Sequence, residues 1–268
     1  MIENQTIDNT QNKQEVFADY ARYYDLLYRD KDYQAEAEYV AGLIRKFHPT
    51  AQNILELGSG TGIHASLLSE KGYSIDGVER SPEMLARSLS LKERIKSAQG
   101  QLNFHHGDIR EIRLDNSFDA VISLFHVISY QTTNEDVAAA FKTARHHLKP
   151  DGIFIFDIWY GPAVLTQRPE VRIKRMSDDK IEVTRLAEPV LHPNENRVDV
   201  NYHVFVRDRE TDAVKEFKET HTMRYFFKPE IDIIAHQSRF EILHSEEWMT
   251  GNPIEQNTWG PCFILKTS

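Results

Sequence analysis

Ten residues, Asn53-Ile54-Leu55-Glu56-Leu57-Gly58-Ser59-Gly60-Thr61-Gly62, limit what this chain can fold into. Ile54, Leu55 and Leu57 form a short apolar run of the kind that fills a buried strand. Three glycines at alternate positions follow, and a helical pattern (Ile63, Ala65, Leu67, Leu68) starts straight after them. Glycine permits a sharp turn and leaves no Cβ between the backbone and a ligand lying on it. In doubly wound α/β folds the first strand-to-helix turn is where a nucleotide-like ligand sits. The dinucleotide pattern Gly-x-Gly-x-x-Gly needs a glycine at position 63, where this chain has Ile63.

The segments that follow repeat the strand–helix order. Residues 73–79 read as a second strand ending in Glu79, 21 residues past Gly58, where such folds place a carboxylate on ribose hydroxyls. A carboxylate suits a vicinal diol because it accepts from both O–H groups. Ser81-Pro82-Glu83 supplies an N-cap, a proline at the first helical position and an acid in the first turn. Met84 sits one turn in, where its thioether can pack on a flat base or simply join the core. Residues 102–105 are a third strand, followed by Gly107-Asp108-Ile109, an acid placed to accept from an adenine amino group beside an apolar cover. Residues 118–124 are a fourth strand that empties into Phe125-His126, and a turn at 148–152 leads into a fifth at 153–158. This order predicts a parallel sheet covered on both faces.

After Tyr160 the pattern changes. Segments 171–176, 181–186, 197–207 and 215–227 read as strands separated by short polar turns. Val198, Val200, Tyr202, Val204 and Val206 alternate with polar neighbours, the period of a sheet with one buried face. A helix from Pro229 through Ile231, Ile233 and Ile234, extending toward Phe240, precedes two closing strands at 241–248 and 259–267. The expected fold is α/β, a doubly wound, mostly parallel sheet with an inserted antiparallel sheet. Residues 1–14 read as a flexible tail, 15–160 with 228–268 as the main domain, and 161–227 as the insertion.

The spacing Glu-x-Gly-x-Gly-x-Gly (Glu56, Gly58, Gly60, Gly62) resembles motif I of the class I S-adenosylmethionine-dependent methyltransferases. Tyr24-Asp25-Leu26-Leu27-Tyr28 with Lys31-Asp32-Tyr33 resembles the N-terminal segment of small-molecule N-methyltransferases, including those acting on nucleotide-linked amino sugars. Tyr20, Tyr24 and Tyr28 share one helical face, so they either bury it or lay rings over a ligand. The resemblance favours a lid of Tyr24, Tyr28 and Tyr33 and implies S-adenosylmethionine as cofactor. The cofactor site then comprises these tyrosines with Glu56, Gly58, Ser59, Gly60, Thr61, Gly62, Glu79, Arg80, Ser81, Met84, Gly107, Asp108, Ile109, Leu124 and Phe125. It also implies a homodimer and an antiparallel last strand.

Methyl transfer from a sulfonium is an in-line displacement that needs collinear positioning and exclusion of water more than a protein nucleophile. Nucleophile and zinc motifs are absent: Cys262 lies in a predicted strand, and there is neither a Gly-x-Ser-x-Gly elbow nor a His-Glu-x-x-His spacing. No metal is expected. An amine acceptor must lose a proton, and His126, just past the fourth strand, is the expected base unless it is purely structural. Tyr24 is the other expected catalytic residue, orienting the amine. A formal net charge of −9 argues against broad nucleic-acid or anionic-membrane binding. No apolar run reaches the roughly 18 residues of a membrane span, the N-terminus lacks a signal-peptide pattern, and a single cysteine fits a reducing cytoplasm. The competing readings are an O-methyltransferase, an amino-acid N-methyltransferase, a nicotinamide-dependent dehydrogenase, and a cofactor-binding regulator without turnover.

Overall fold

A computed structural model describes residue 23 and residues 26–95 and 100–268; the expectations for residues 1–14, Tyr20 and Tyr24 lie outside them. The chain divides into two compact units. The larger comprises Asp32–Pro169, Leu191–Asp199 and Thr222–Ser268, and the smaller comprises Glu170–Val190 and Val200–His221 with the chain up to Lys31.

Strands β1 (Asn53–Leu57), β2 (Ser74–Glu79), β3 (Leu102–His106), β4 (Phe118–Ser123) and β5 (Leu148–Asp157) belong to one sheet. Strands β6 (Trp159–Tyr160), β7 (Arg172–Ser177), β8 (Ile181–His192), β9 (Arg197–Asp208) and β10 (Val214–Phe226) form a second, and β11 (Phe240–Glu247) and β12 (Pro261–Thr267) complete the first. The order of the seven-stranded sheet is β11-β12-β5-β4-β1-β2-β3. β1 runs parallel to both neighbours, with Ile54 opposite Ile75 and Ala120. β12 is antiparallel to both β5 and β11. The strand order therefore reverses beside β1, and ligands bind at the carboxyl ends of strands at such a switch point.

Helices α1 (Tyr33–Phe47), α2 (Ile63–Glu70), α3 (Pro82–Arg94), α4 (Asn134–His147), α5 (Gly161–Gln167) and α6 (Lys228–Gln237) carry the rest. Their starts are capped as the residue types dictate. Asp32 accepts from the Ala35 amide at 2.9 Å, Ser81 from Met84 at 3.3 Å and Thr133 from Asp136 at 3.1 Å. Strand β5 shows why both sheet faces are covered. Phe154 and Phe156 join a core with Phe141, Phe240 and Phe263, while Ile153 and Ile155 join another with Ile54, Ala120 and Ile264.

Three boundaries differ from the sequence reading. β5 begins at Leu148, because Leu148 pairs with Phe118 before the register shifts. Phe240 opens β11 opposite Thr267 and lies outside α6, which ends at Gln237. Helix α5, with Pro162 in its first turn, had no periodic signal in so short a segment.

In the smaller unit, Tyr23, Leu26, Leu27, Ile181, Val183, Val204 and Val206 form a core, and Tyr28 packs against it. The alternating face of β9 is buried at Val198, Val200, Val204 and Val206. β7 and β8 pair antiparallel. Among the described residues no helix is long and apolar enough to cross a membrane.

The glycine turn is where the fold is least tolerant. Gly58, Gly60 and Gly62 have φ of 79°, 55° and 79°, a region that costs an L-residue about 1–2 kcal/mol. A Cβ on Gly62 would lie 2.5 Å from Phe104 Cζ, and one on Gly58 2.6 Å from Val127 Cγ1, whereas one on Gly60 would meet nothing within 4 Å. Gly62→Ala should therefore destabilise by roughly 2–5 kcal/mol, strain plus overpacking, and Gly60→Ala by about 1–2 kcal/mol. Chemical denaturation of the two variants checks this; equal losses would mean that Phe104 yields freely.

Candidate active site

Three acids stand at the carboxyl ends of three neighbouring strands. Glu56 lies in β1 and is 1% exposed, with Oε2 unbonded among the described residues. Burial pushes its carboxyl up to about 8, the Glu79 charge adds to the rise, and a hydrogen bond from the Ala65 amide opposes it. Glu79 ends β2. Its Oε2 accepts from the Gly60 amide at 2.9 Å and its Oε1 from the Ser81 amide at 2.7 Å, tying the glycine turn to the start of α3. A carboxylate has about four lone-pair positions, so Glu79 keeps acceptor capacity for a diol. Asp108 follows β3. Its Oδ1 accepts from the Arg110 amide and Nε, both at 2.9 Å, and its Oδ2 from the same guanidinium at 2.6 Å. That guanidinium holds the Asp108 carboxyl down at about 2. Arg80 lies 3.6 Å from Oδ2, and Arg110 also reaches Asp136 at 2.9 Å.

The turn between these acids is built from main chain. The Gly58 and Ser59 amides both donate to the Val78 carbonyl at 2.9 Å. Ser59 is buried with its Oγ against Gly77, where a Cβ would come within 2.8 Å, so Ser59 presents backbone to a ligand. Thr61 and Met84 are half-buried. A Cβ on Gly107 would lie 2.2 Å from Ile112 Cδ1, so any larger residue there requires the Ile112 side chain to move. Ile109 is 7% exposed and belongs to the core, so an adenine ring would find at most its edge. Tyr33 meets the His64 ring edge to face at 5.1 Å, and His64 Nε2 lies 2.7 Å from Glu36 Oε2, which places Tyr33 beside the first turn of α2.

The end of β4 completes the site. Leu124 is buried, and Phe125 and His126 then take left-handed φ of 62° and 61°. Two such non-glycine residues in succession are rare, and strain of this kind is found at functional positions. The His126 amide donates to both oxygens of Asp157, at 3.2 and 3.1 Å, and the carboxylate side chain is 3% exposed. Phe125 is 41% exposed and stacks on the His126 ring at 5.8 Å, and Trp159 meets that ring edge-on at 6.4 Å. Trp259 packs on Trp159 at 6.0 Å. Cys262 is fully buried, with burial raising its thiol well above the ordinary range, so it offers no nucleophile.

The glycine turn, Glu56, Glu79, Ser81, Asp108, Tyr33, Phe125 and His126 thus all belong to the larger unit, while Tyr28 belongs to the smaller one. Sequence reasoning missed Arg110, Asp157 and the two tryptophans. Asp157 ends a strand read as pure core, and the Asp108-x-Arg110 spacing was the one available signal. The residues fit an adenosyl cofactor on two counts: the backbone at Gly60 is open to a ligand, and the orphaned Oε2 of Glu56 suits a cationic amino group.

The fold agrees with the comparisons. Residues 54–152 match the family described as a methyltransferase domain. The chain is 29% identical over 237 residues, 88% of this chain and 94% of the other, to a dTDP-3-amino-3,4,6-trideoxy-alpha-D-glucopyranose N,N-dimethyltransferase of Streptomyces venezuelae. It is 28% identical, over 87% and 86% of the two chains, to a dTDP-3-amino-3,6-dideoxy-alpha-D-glucopyranose N,N-dimethyltransferase of Streptomyces fradiae. An S-adenosylmethionine-dependent methyltransferase from Clostridium acetobutylicum shares the fold with a TM-score of 0.79, at 24% identity over 94% of this chain and 99% of that one.

Two measurements test this geometry. Folded Glu56 keeps its proton up to about pH 8 against an ordinary 4.5, so between those values the folded state binds more protons than the unfolded one. Stability should therefore fall as pH rises through that window and level off above it. Glu56→Gln should remove the decline. Its stability relative to wild type should be near zero below pH 4.5 and rise to a few kcal/mol by about pH 8, read by denaturant titration at three pH values. Parallel curves for the two proteins would place the ionisation elsewhere. Glu79→Ala removes two amide acceptors as well as the diol acceptor. It should lower thermal stability and weaken S-adenosylmethionine by at least about tenfold, since each charged hydrogen bond is worth roughly 1.5–3 kcal/mol. Normal calorimetric affinity would move the ribose away from Glu79.

Proposed function

We propose that this chain, a class I S-adenosylmethionine-dependent methyltransferase, methylates the amine nitrogen of a nucleotide-linked amino sugar. The observation that carries the acceptor is the likeness to two dTDP-amino-sugar N,N-dimethyltransferases over 88% and 87% of this chain. The chemistry of the site agrees with it. Bound S-adenosylmethionine supplies an electrophilic methyl group on a good leaving group. Glu56 and the Gly60 backbone would receive its amino-acid end, Glu79 its ribose and Asp108 its base, with Tyr33 as cover.

The acceptor amine attacks through its lone pair, so the ammonium form must first lose a proton. His126 takes that proton in this reading, and Phe125 and Trp159 give an aromatic wall that attracts cationic ammonium and sulfonium groups. The larger share of the rate comes from holding nitrogen and methyl about 3–3.5 Å apart and in line. A homodimer and a cytoplasmic location go with this reading. Val171 and Ile173, 64% and 54% exposed at the β7 edge, give a second copy an apolar surface to cover.

Incubating the protein with S-adenosylmethionine and a dTDP-linked 3-amino-dideoxyhexose should yield the mono- and then the dimethylated sugar nucleotide by mass spectrometry. Under the same conditions His126→Ala should slow turnover by about 10²–10⁴-fold, the usual worth of a general base, with cofactor affinity nearly intact. Unmethylated sugar with wild-type protein would overturn the acceptor class. An unchanged rate for the variant would return His126 to a structural role.

A further inference from the structure

We infer that Asp157 is the positioning residue of this site: it fixes His126 as the tautomer protonated on Nδ1 and so leaves the Nε2 lone pair for the acceptor amine. The inference rests on the function proposed above for its catalytic consequence, but its structural half stands alone.

Nδ1 of His126 lies 2.7 Å from Asp157 Oδ2. The contact falls outside the angles of a linear hydrogen bond, and Nδ1, although buried, has no other acceptor or donor among the described residues. A nitrogen lone pair and a carboxylate oxygen lone pair repel at that separation. A proton between them removes that repulsion. Asp157 supplies the counterpart. Its side chain is 3% exposed and faces the His126 amide and the His126 ring, with the buried Cys262 thiol, opposite Asp157 in the β12–β5 register, as the other titratable group near it. A buried carboxylate needs donors, so it favours a proton on Nδ1.

The same carboxylate also holds the backbone. By accepting the His126 amide on both oxygens, Asp157 anchors the second of the two left-handed residues, Phe125 and His126, against the end of β5. The ring is fixed from a further side by Gly260, where a Cβ would lie 3.3 Å from His126 Cε1. Nδ1 faces Asp157 and Cε1 faces Gly260 in a side chain that is 28% exposed, so Nε2 is the nitrogen we assign to the acceptor. The clamp thus selects both which nitrogen carries the proton and where the other one points.

Substituting Asp157→Asn separates these effects. The amide keeps size and an acceptor oxygen, but its NH₂ can face Nδ1 and donate, which selects the opposite tautomer. In protein labelled with ¹⁵N-histidine, long-range proton–nitrogen spectra should show His126 protonated on Nδ1 in wild type at high pH and on Nε2 in Asp157→Asn. Loss of the signal in His126→Ala assigns it. With the dTDP-linked 3-amino sugar as probe, Asp157→Asn should lower kcat by about 10–100-fold, as outer partners of ligating histidines do, while KM for both substrates stays within about twofold. Gly260→Ala should keep the wild-type tautomer and lower kcat severalfold by displacing the ring. A wild-type Nε2–H tautomer, or the same tautomer in Asp157→Asn, overturns the clamp. Full kcat in Asp157→Asn with the tautomer reversed overturns its catalytic role. If wild type methylates no amino sugar, the acceptor proposal fails, and the nitrogen spectra still decide the clamp.

Discussion

The glycine turn works because three pieces of chain approach one another more closely than side chains allow. Gly62 lies against Phe104 of β3 and Gly58 against Val127, each at a distance that a Cβ would turn into a clash. Close approach sets the end of β1 against its neighbours at the point where the sheet order reverses. Everything placed at the carboxyl edge inherits its position from that packing. Gly60 alone faces open space, and there the backbone itself is available to a ligand.

Around the turn the protein grades its carboxylates by surroundings. Burial without a cation beside it raises the Glu56 carboxyl to about 8, while the Arg110 guanidinium lowers Asp108 to about 2. Glu79, between them in the sheet, binds two backbone amides and couples the glycine turn to α3. Three acids on adjacent strand ends suit a cofactor that carries a sulfonium and an ammonium group, and the Glu56 carboxyl is costly to ionise until such a cation accompanies it.

The end of β4 is organised differently. At the end of β4 the backbone is strained, the side chains are aromatic, and one buried acid holds one histidine. Strain is retained there because Asp157 accepts the amide of the strained residue, so backbone geometry and imidazole orientation depend on the same carboxylate. Removing that acid would disturb both together.

Much of this was legible in the residues. Buried runs such as Ile54–Leu57 and Ile153–Phe156, the Ser81-Pro82 helix start and the alternation from Val198 to Val206 are local patterns, set by how side chains face water or core, and they fix elements without reference to distant chain. The acids at the carboxyl ends of β1 and β2 and just past β3 were readable for the same reason, since strand order alone places them. Tertiary structure decided what needs two remote segments. Leu148 enters β5 because Phe118 lies opposite, Asp108 is committed to Arg110 and through it to Asp136, and His126 meets an acid 31 residues away. No spacing in the sequence encodes that last contact, because it depends on β4 and β5 lying side by side and on two left-handed residues turning the imidazole inward.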